Sequence, residues 1–254
     1  MLQMRPDPSK PVRFKEDGLA TDPKQDARIV DIELSLNAAI ALDESQRVFV
    51  WGRKMGVYPS VEMNVQSIVY KIGYPMVKEI NQNVPRLVKS NLVFHKISRV
   101  FGCFHNFALV TDKNELMITG LSDFGQLVLS DCLYDKENIQ KVLLFFPEFM
   151  MLDFFASHDI LDVAIGSCTM HVLCKNRQSG ATQLFGWGSN KYGQLGETED
   201  DDEFHVHYTP IDMSGLLQNL QGESDPTEIL KVKSGERHTL LLTSKGDVFG
   251  IGKQ

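Results

Sequence analysis

Short runs of apolar residues alternate with polar turns along the chain, and the same order of runs occurs four times. In its fullest form, over residues 165–196, the phrase reads IGSCTMHVLC, then a polar turn, then QLFGWGSNKYGQLG. It returns over residues 232–252, 101–127 and 33–52. Self-similarity at a nearly fixed spacing is typical of a repeat architecture. We therefore expect one structural unit built several times, with function carried by its loops.

Each unit predicts about four short antiparallel strands. A first apolar segment precedes a small or Gly turn, and a second strand, a charged turn and a third strand ending in Gly follow it. Two such runs joined by a tight polar turn are typical of a β-hairpin. A fourth strand is predicted over residues 85–89, 141–145 and 209–213. Because four-stranded antiparallel sheets repeated around an axis form a β-propeller, the predicted fold class is all-β.

The turns before the second strands set the boundaries of the units. Taken as anchors, Ser35, Gly102, Gly166 and Gly235 are separated by 67, 64 and 69 residues. They divide the chain into a polar N-terminal extension (1–27) and repeats over residues 28–95, 96–159, 160–228 and 229–254, the last one truncated. Long insertions follow the Gly-rich turn in the first three units. Insertions at one point of each repeat map to one face of a repeat protein, often its binding face.

Composition and charge narrow the class of protein. With 43% hydrophobic residues and a net charge of −7, the chain is an ordinary globular sequence and not a basic nucleic-acid binder. The N-terminus has no apolar core of a secretory signal, and the apolar stretch over residues 142–155 is too short and too interrupted to cross a membrane. We expect a soluble intracellular protein; the sequence does not distinguish nucleus, cytoplasm and cilium. The four cysteines, at no metal-like spacing, read as reduced thiols: Cys103, Cys132, Cys168 and Cys174.

A set of Gly, Trp, His, Asn and Gln residues recurs at matching places in the units. These are Gly102, His105, Gly120, Gly125, Gln126, Gly166, Trp187, Gly188, Asn190, Gly193, Gln194, Leu195, Gly196, Gly235, His238 and Gly252. Through them, residues 28–254 resemble the regulator of chromosome condensation repeat family. The match is strong in the third unit and poor in the first, where Ala38 replaces the His. The resemblance implies a ring of seven blades, of which this chain holds about four.

The motif residues have architectural roles in this interpretation. Glycines such as Gly188 allow positive φ or a close backbone approach in a long turn, and the side chain of Asn190 can hold that turn by bonding its own backbone. We expect Gln194, His105 and His238 to satisfy buried backbone groups and not to catalyse a reaction.

About four units form only part of a seven-bladed ring, so the predicted fold is an incomplete propeller with long insertions. Two blade faces of a partial ring are open, and apolar surface of that size implies a partner or further blades. The remainder has three possible sources: a longer product, a second chain that completes the ring, or two copies of this chain. The stop within the fourth unit favours the first source.

Candidate chemistry is sparse. No nucleophile elbow, phosphate loop or paired-metal spacing is present, so we predict no catalytic residue, metal or cofactor. His205 and His207 could hold a divalent metal, but a solvated acidic loop is the favoured interpretation of their surroundings. Two segments are candidate partner contacts: the acidic run, which suits a basic surface, and an aromatic run enriched in interface-type residues. Their residues are Glu199, Asp200, Asp201, Asp202 and Glu203, and Phe149, Phe154 and Phe155; an outer strand with a connector is the alternative for the aromatic run.

Three functions compete. A non-enzymatic protein-interaction scaffold that is a subunit or part of a larger assembly is favoured, because no catalytic constellation is present and the insertions share one face. A guanine-nucleotide exchange factor for a small GTPase is the first alternative, which the resemblance implies for the founding family member; exchange is non-covalent and shifts binding equilibria. A chromatin-associated adaptor is the second alternative, disfavoured by the charge of −7. Protein partners are expected in each case.

Overall fold

Four antiparallel sheets of one design follow each other along the chain. The computed structural model describes residues 28–36, 38–52, 82–88, 91–122, 124–128, 145–196, 206–216 and 227–253. We call the sheets blades 1 to 4. The predicted all-β fold with four-stranded antiparallel blades is confirmed.

The strands of each blade run in chain order from the inside of the fold outward. Blade 1 contains β1 (Ile29–Leu34), β2 (Ala38–Asp43), β3 (Val48–Gly52) and β4 (Gln82–Leu87). Blade 2 contains β5 (Ile97–Cys103), β6 (Asn106–Thr111), β7 (Leu116–Leu121) and β8 (Phe145–Met151). Blade 3 contains β9 (His158–Ile165), β10 (Thr169–Asn176), β11 (Thr182–Ser189) and β12 (Val206–Asp212). Blade 4 contains β13 (Ile229–Ser234), β14 (His238–Thr243) and β15 (Val248–Gly252).

The outer strands differ most from the predicted positions. The outer strand of blade 2 was expected over residues 141–145, whereas β8 spans Phe145–Met151 and includes Pro147. A proline has no N–H to donate, and an outermost strand tolerates it because one of its edges faces no other strand. Two short 3-10 helices, Asn91–Phe94 and Asp153–Phe155, connect blades 1 to 2 and 2 to 3.

Apolar side chains on alternate positions of each blade pack against the neighbouring blade. Three clusters result, one at each junction, because the side chains of a strand point to opposite faces in turn. Ile40 and Val50 meet Leu109 between blades 1 and 2; Val110 meets Val172 between blades 2 and 3. The cluster between blades 3 and 4 contains Ala164, Leu173, Leu184, Leu195, Met213, Ile229, Val232 and Leu241.

The inner strands β1, β5, β9 and β13 lie side by side and are tied by one repeated device. In each of them a one-residue bulge interrupts the pairing, and a charged side chain stands at the first paired residue after the bulge. Asp31 Oδ2 accepts a hydrogen bond from the Val100 backbone N–H of blade 2, at 3.4 Å. Asp162 Oδ2 accepts one from the Val232 N–H of blade 4, at 2.9 Å. Successive blades are therefore joined by side chain to backbone bonds as well as by apolar packing.

The middle junction uses the opposite charge at the same position. Arg99, the third residue of β5, donates to the Leu161 carbonyl at 2.6 Å and to the neighbouring carbonyl of Ile160, both at the bulge of β9. Burial lowers the pKa of Arg99, and the nearby Asp162 raises it. A carboxylate binds an N–H and a guanidinium binds carbonyls, so the charge at this position decides which backbone group of the next blade it holds.

Removal of the Asp162 carboxylate should loosen the junction of blades 3 and 4. We expect Asp162→Ala to lower the free energy of unfolding by about 1–3 kcal/mol, because the buried Val232 N–H loses its acceptor. Asp162→Asn keeps an acceptor oxygen and should cost less. Urea unfolding of each variant measures the change, with the exposed Asp112→Ala as control, expected within about 0.5 kcal/mol of the parent. Equal effects of Asp162→Ala and the control would contradict this role.

Candidate functional site

The Gly-rich turn that follows β11 is held by its own side chains. Asn190 Oδ1 accepts a hydrogen bond from the Leu195 N–H at 2.9 Å, and Gln194 Oε1 accepts one from the Tyr192 N–H at 2.8 Å. A further backbone bond joins the Gly193 N–H to the Asn190 carbonyl at 2.9 Å. With its amides paired in this way, the turn is a rigid platform at one end of blade 3, and Leu195 is buried beneath it.

The matching turn of blade 2 uses the same scheme with one substitution. Gln126 Oε1 accepts from the Phe124 N–H at 2.9 Å, as its counterpart does in blade 3. The place of Asn190 is taken by Ser122, whose hydroxyl oxygen accepts from the Leu127 N–H at 3.1 Å. Both glutamines are buried and bond backbone amides, so in this geometry they stabilise turns and face no open pocket.

Trp187 joins the blade 2 turn to blade 3. Its ring is fully buried, and its Nε1–H donates to the Gln126 carbonyl at 2.8 Å. The Gln126 side-chain amide in turn donates to the Ser167 carbonyl of blade 3 at 3.4 Å. The Trp of the motif therefore joins two blades by a hydrogen bond.

The glycine at the end of each third strand is required by a close backbone approach. Gly188 has φ +103°, and a Cβ there would collide with the Cys168 carbonyl oxygen of the turn before β10. Gly120 meets the His105 carbonyl in blade 2, and Gly252 meets the Arg237 carbonyl in blade 4, in the same manner. In the turn itself, Gly125, Gly193 and Gly196 also have positive φ.

The strand register corrects the placement of two predicted residues in blade 2. Gly102 lies inside β5, paired with Phe107, and is not the turn residue; Cys103 occupies that place. Consequently Asn106, and not His105, takes the position that Thr169 holds in blade 3. The sequence comparison was one residue out because the loop from β5 to β6 begins one residue later than the Gly suggests.

Asn106 and His238 occupy this position with different results. The buried Asn106 amide donates to the Leu121 carbonyl at 2.7 Å, at the start of the turn that follows β7. His238, expected to satisfy a buried backbone group, is instead exposed beside Gly235. The carbonyls that Asn106 contacts belong to Thr119 and Leu121, at the end of the third strand of its blade.

His171 is a buried polar residue that the repeat comparison did not single out. Its Nε2 lies 3.3 Å from the Gln194 carbonyl, which can only accept, so the ring proton belongs on Nε2. Nδ1 then accepts from the Ser234 hydroxyl of blade 4 at 2.8 Å. Burial holds the pKa of His171 at about 4, below the ordinary 6.5. The neutral ring links the blade 3 turn to blade 4; a lone polar residue within the apolar run of β10 was the signal for it.

Two of the three predicted aromatic contacts are core residues. Phe149 is buried in the junction of blades 1 and 2, and Phe155 in the junction of blades 2 and 3. Neither is accessible to a partner, because β8 and the following 3-10 helix turn both side chains inward. Phe154 is half exposed and packs edge-on against Phe155 and Phe185. The acidic candidates Glu199, Asp200, Asp201, Asp202 and Glu203 lie outside the described residues.

An exposed cluster of cations surrounds Tyr192 at the junction of blades 3 and 4. The Arg237 guanidinium carbon lies 4.8 Å from the centroid of the Tyr192 ring. The ammonium groups of Lys191 and Lys253 lie 5.5 and 5.7 Å from the same centroid. Three cations therefore gather around one ring, and no sequence motif predicted this cluster.

Side-chain geometry for catalysis is not seen in the described ranges. A cavity of about 280 Å³ opens between blades 1 and 2, but its Arg47 is held by Asp43 at 2.7 Å and its His95 lies 3.6 Å from Glu115. Within those ranges no group of three His, Cys, Asp or Glu side chains could hold a metal ion. Cys103, Cys168 and Cys174 are free thiols, and burial raises the pKa of Cys174 to about 12, which keeps it protonated.

Comparison with known proteins identifies the repeat. Residues 183–242 match the regulator of chromosome condensation (RCC1) repeat model. The probable E3 ubiquitin-protein ligase HERC4 of Homo sapiens is 33% identical over 171 residues, which are 66% of this chain and 13% of the ligase. The RCC1-like G exchanging factor-like protein of Mus musculus is 28% identical over 217 residues, 82% of this chain and 43% of that protein. This chain is built from RCC1-type repeats.

The solved structures agree in fold. A crystal structure of human WBSCR16 superposes on 89% of this chain and 48% of its own with a TM-score of 0.60, at 19% identity. The chain spans less than half the length of the two curated relatives. The matched RCC1 segment runs from β11 to β14 and so contains the Gly-rich turn and the junction to blade 4. In the residues that the structure describes, no helix is long and apolar enough to span a membrane.

His171 should make the stability of the protein sensitive to acid. Its folded pKa is depressed, so the unfolded chain binds a proton more readily than the folded one. The stability it contributes is present above pH 6.5 and is lost as the pH falls towards 4. The loss should reach about 2 kcal/mol at pH 5.

Urea unfolding as a function of pH checks this expectation. His171→Gln should flatten the stability profile between pH 6.5 and 4. A parent profile and a His171→Gln profile with the same slope would show that another group is responsible.

Proposed function

We propose that this chain is a non-catalytic protein-interaction module made of RCC1-type blades, and that a further β-sheet packs on the open face of blade 4. The observation that carries the proposal is the state of that face. Leu240 and Val248, which point away from blade 3, are 42% and 61% exposed. In blade 3 the residue that corresponds to Val248 is Leu184, which is fully buried against blade 4. This face has the apolar composition of a blade junction, but nothing covers it among the described residues. Such a face favours binding of another apolar surface.

Lys231 supports the same proposal. It is the first paired residue after the bulge of β13, where the other inner strands carry Asp31, Arg99 and Asp162. Each of those three side chains reaches the backbone of the next blade. Lys231 has no hydrogen-bond or ion-pair partner among the described residues, and its amine matches the carbonyl-binding role of Arg99. An inner strand with free carbonyls, placed beside β13, would complete the series.

The absence of a chemical role for the motif residues also supports an interaction function. Gln126, Asn190 and Gln194 are directed to backbone amides, and Trp187 to a backbone carbonyl. Such groups build the frame on which loops are presented. Repeat proteins of this kind commonly place their binding surfaces on those loops.

Charges placed on the open face should weaken association. Light scattering across a dilution series should show the parent chain above its 28.7 kDa mass at the concentrated end, because the uncovered apolar face self-associates. The double variant Leu240→Glu with Val248→Glu should stay monomeric with an unchanged circular dichroism spectrum. Phe94→Glu, at an apolar residue that is even more exposed but lies outside this face, should associate like the parent. A monomeric parent, or association that survives in the double variant, would refute the proposed face.

Nucleotide exchange is the second candidate function, and the mouse relative named as an RCC1-like G exchanging factor-like protein favours it. The human ligase relative matches over only 13% of its length, so its ligase activity is not proposed for this chain. Release of a fluorescent GDP analogue from purified small GTPases separates the candidates. An exchange factor accelerates release at sub-stoichiometric amounts, because it lowers the affinity for nucleotide only within a transient complex and is then free to act again. We expect the interaction module to leave the rate unchanged, and acceleration would favour exchange.

A further inference from the structure

The Tyr192 cluster brings together parts of two blades. Lys191 and Tyr192 belong to the turn after β11, Arg237 to the turn between β13 and β14, and Lys253 follows β15. These segments meet at one end of the fold, where the β10 residue Thr169 pairs with Gly188 and the β14 residue His238 pairs with Gly252. We call Lys191, Tyr192, Arg237 and Lys253 the cationic patch.

The backbone beneath the patch is fixed. The Tyr192 N–H is held by Gln194 Oε1 at 2.8 Å, and the Lys253 N–H donates to the Arg237 carbonyl at 3.0 Å. Tyr192 is half-buried, while the Arg237 and Lys253 side chains are exposed. A partner that bound here would meet groups already in place and would spend little free energy on ordering them.

The sign of the patch is opposite to that of the chain. Three cations gather here; among the described residues, the carboxylate of Glu236 lies 3.2 Å from Arg237, and both of these side chains are exposed. The whole chain has a net charge of −7. The ring attracts each cation, while the cations repel each other. An anion bound among the three cations would reduce the repulsion between them. The patch therefore attracts anions locally, although the net negative charge of the chain repels them at long range.

We propose that the cationic patch is a docking surface for an acidic segment of a partner protein. The inference rests on the proposed interaction function and adds a second contact, separate from the open face of blade 4. Tyr and Arg are residues that concentrate binding energy at protein interfaces. A nucleic acid fits less well, because its many phosphates meet the repulsion of the remaining surface at long range. An acidic peptide carries the same attractive chemistry with fewer charges.

Fluorescence anisotropy with a labelled polyglutamate peptide tests the proposal on the full 254-residue chain. We expect saturable binding that weakens as salt rises, since screening shortens the range of charge attraction. Arg237→Gln with Lys253→Gln should weaken binding by about tenfold. The matched control is Lys175→Gln with Arg177→Gln, which removes two exposed cations at the other end of blade 3 and should change affinity less than twofold. Tyr192→Leu should also weaken binding, because it removes the ring that gathers the cations.

The outcomes decide between sources of the anion. No binding, or equal loss in the patch and control variants, overturns the proposal. Duplex DNA that binds more tightly than the peptide with the same sensitivity to the Arg237 and Lys253 changes would make the patch a nucleic-acid surface and also overturn it. Competition by inorganic phosphate as effective as that by unlabelled peptide would show a phosphate site instead. The patch variants leave Leu240 and Val248 intact, so light scattering reports on the open face independently.

Discussion

The structure depends on the contact between one blade's inner strand and the next. Asp31, Arg99 and Asp162 each hold backbone groups of the following blade from one position of the strand. Apolar clusters add area to each junction, but these bonds set how one sheet is placed against its neighbour. Blades of this size gain stability mainly from such junctions, because a single sheet with two apolar faces cannot bury both by itself.

The motif turn extends the same principle to the end of the fold. Trp187 reaches back to the Gln126 carbonyl of blade 2, while His171 connects the Gln194 carbonyl to Ser234 of blade 4. Polar residues that could suggest catalysis instead form hydrogen bonds between blades. What remains outside is a set of presented surfaces: the open sheet of blade 4 and the cations around Tyr192. The polar motif residues thus hold the blades together, while these two surfaces stay exposed. The interaction function proposed above is based on this difference.

Much of the fold could be predicted from the sequence, because period-2 strands and strand-ending glycines such as Gly188 recur at each blade. The roles of individual residues were less predictable. Phe149 and Phe155 were candidate contacts and are core, since an aromatic run has the same composition in an interface and in a junction. His105 was displaced from the motif position by a one-residue difference in β5. The cationic patch joins residues about 60 positions apart, and only the three-dimensional packing of blades 3 and 4 assembles it.

Amide hydrogen exchange, measured strand by strand, tests the central claim most directly. Blades 2 and 3 are covered on both faces, so their second and third strands should exchange slowly and nearly together. The strands β14 and β15 have one junction only and should exchange markedly faster, with the Asp162-bound Val232 amide slower than its neighbours on β13. Protection of β15 equal to that of β11 would contradict the account, because it would mean that a blade needs no second junction to be stable.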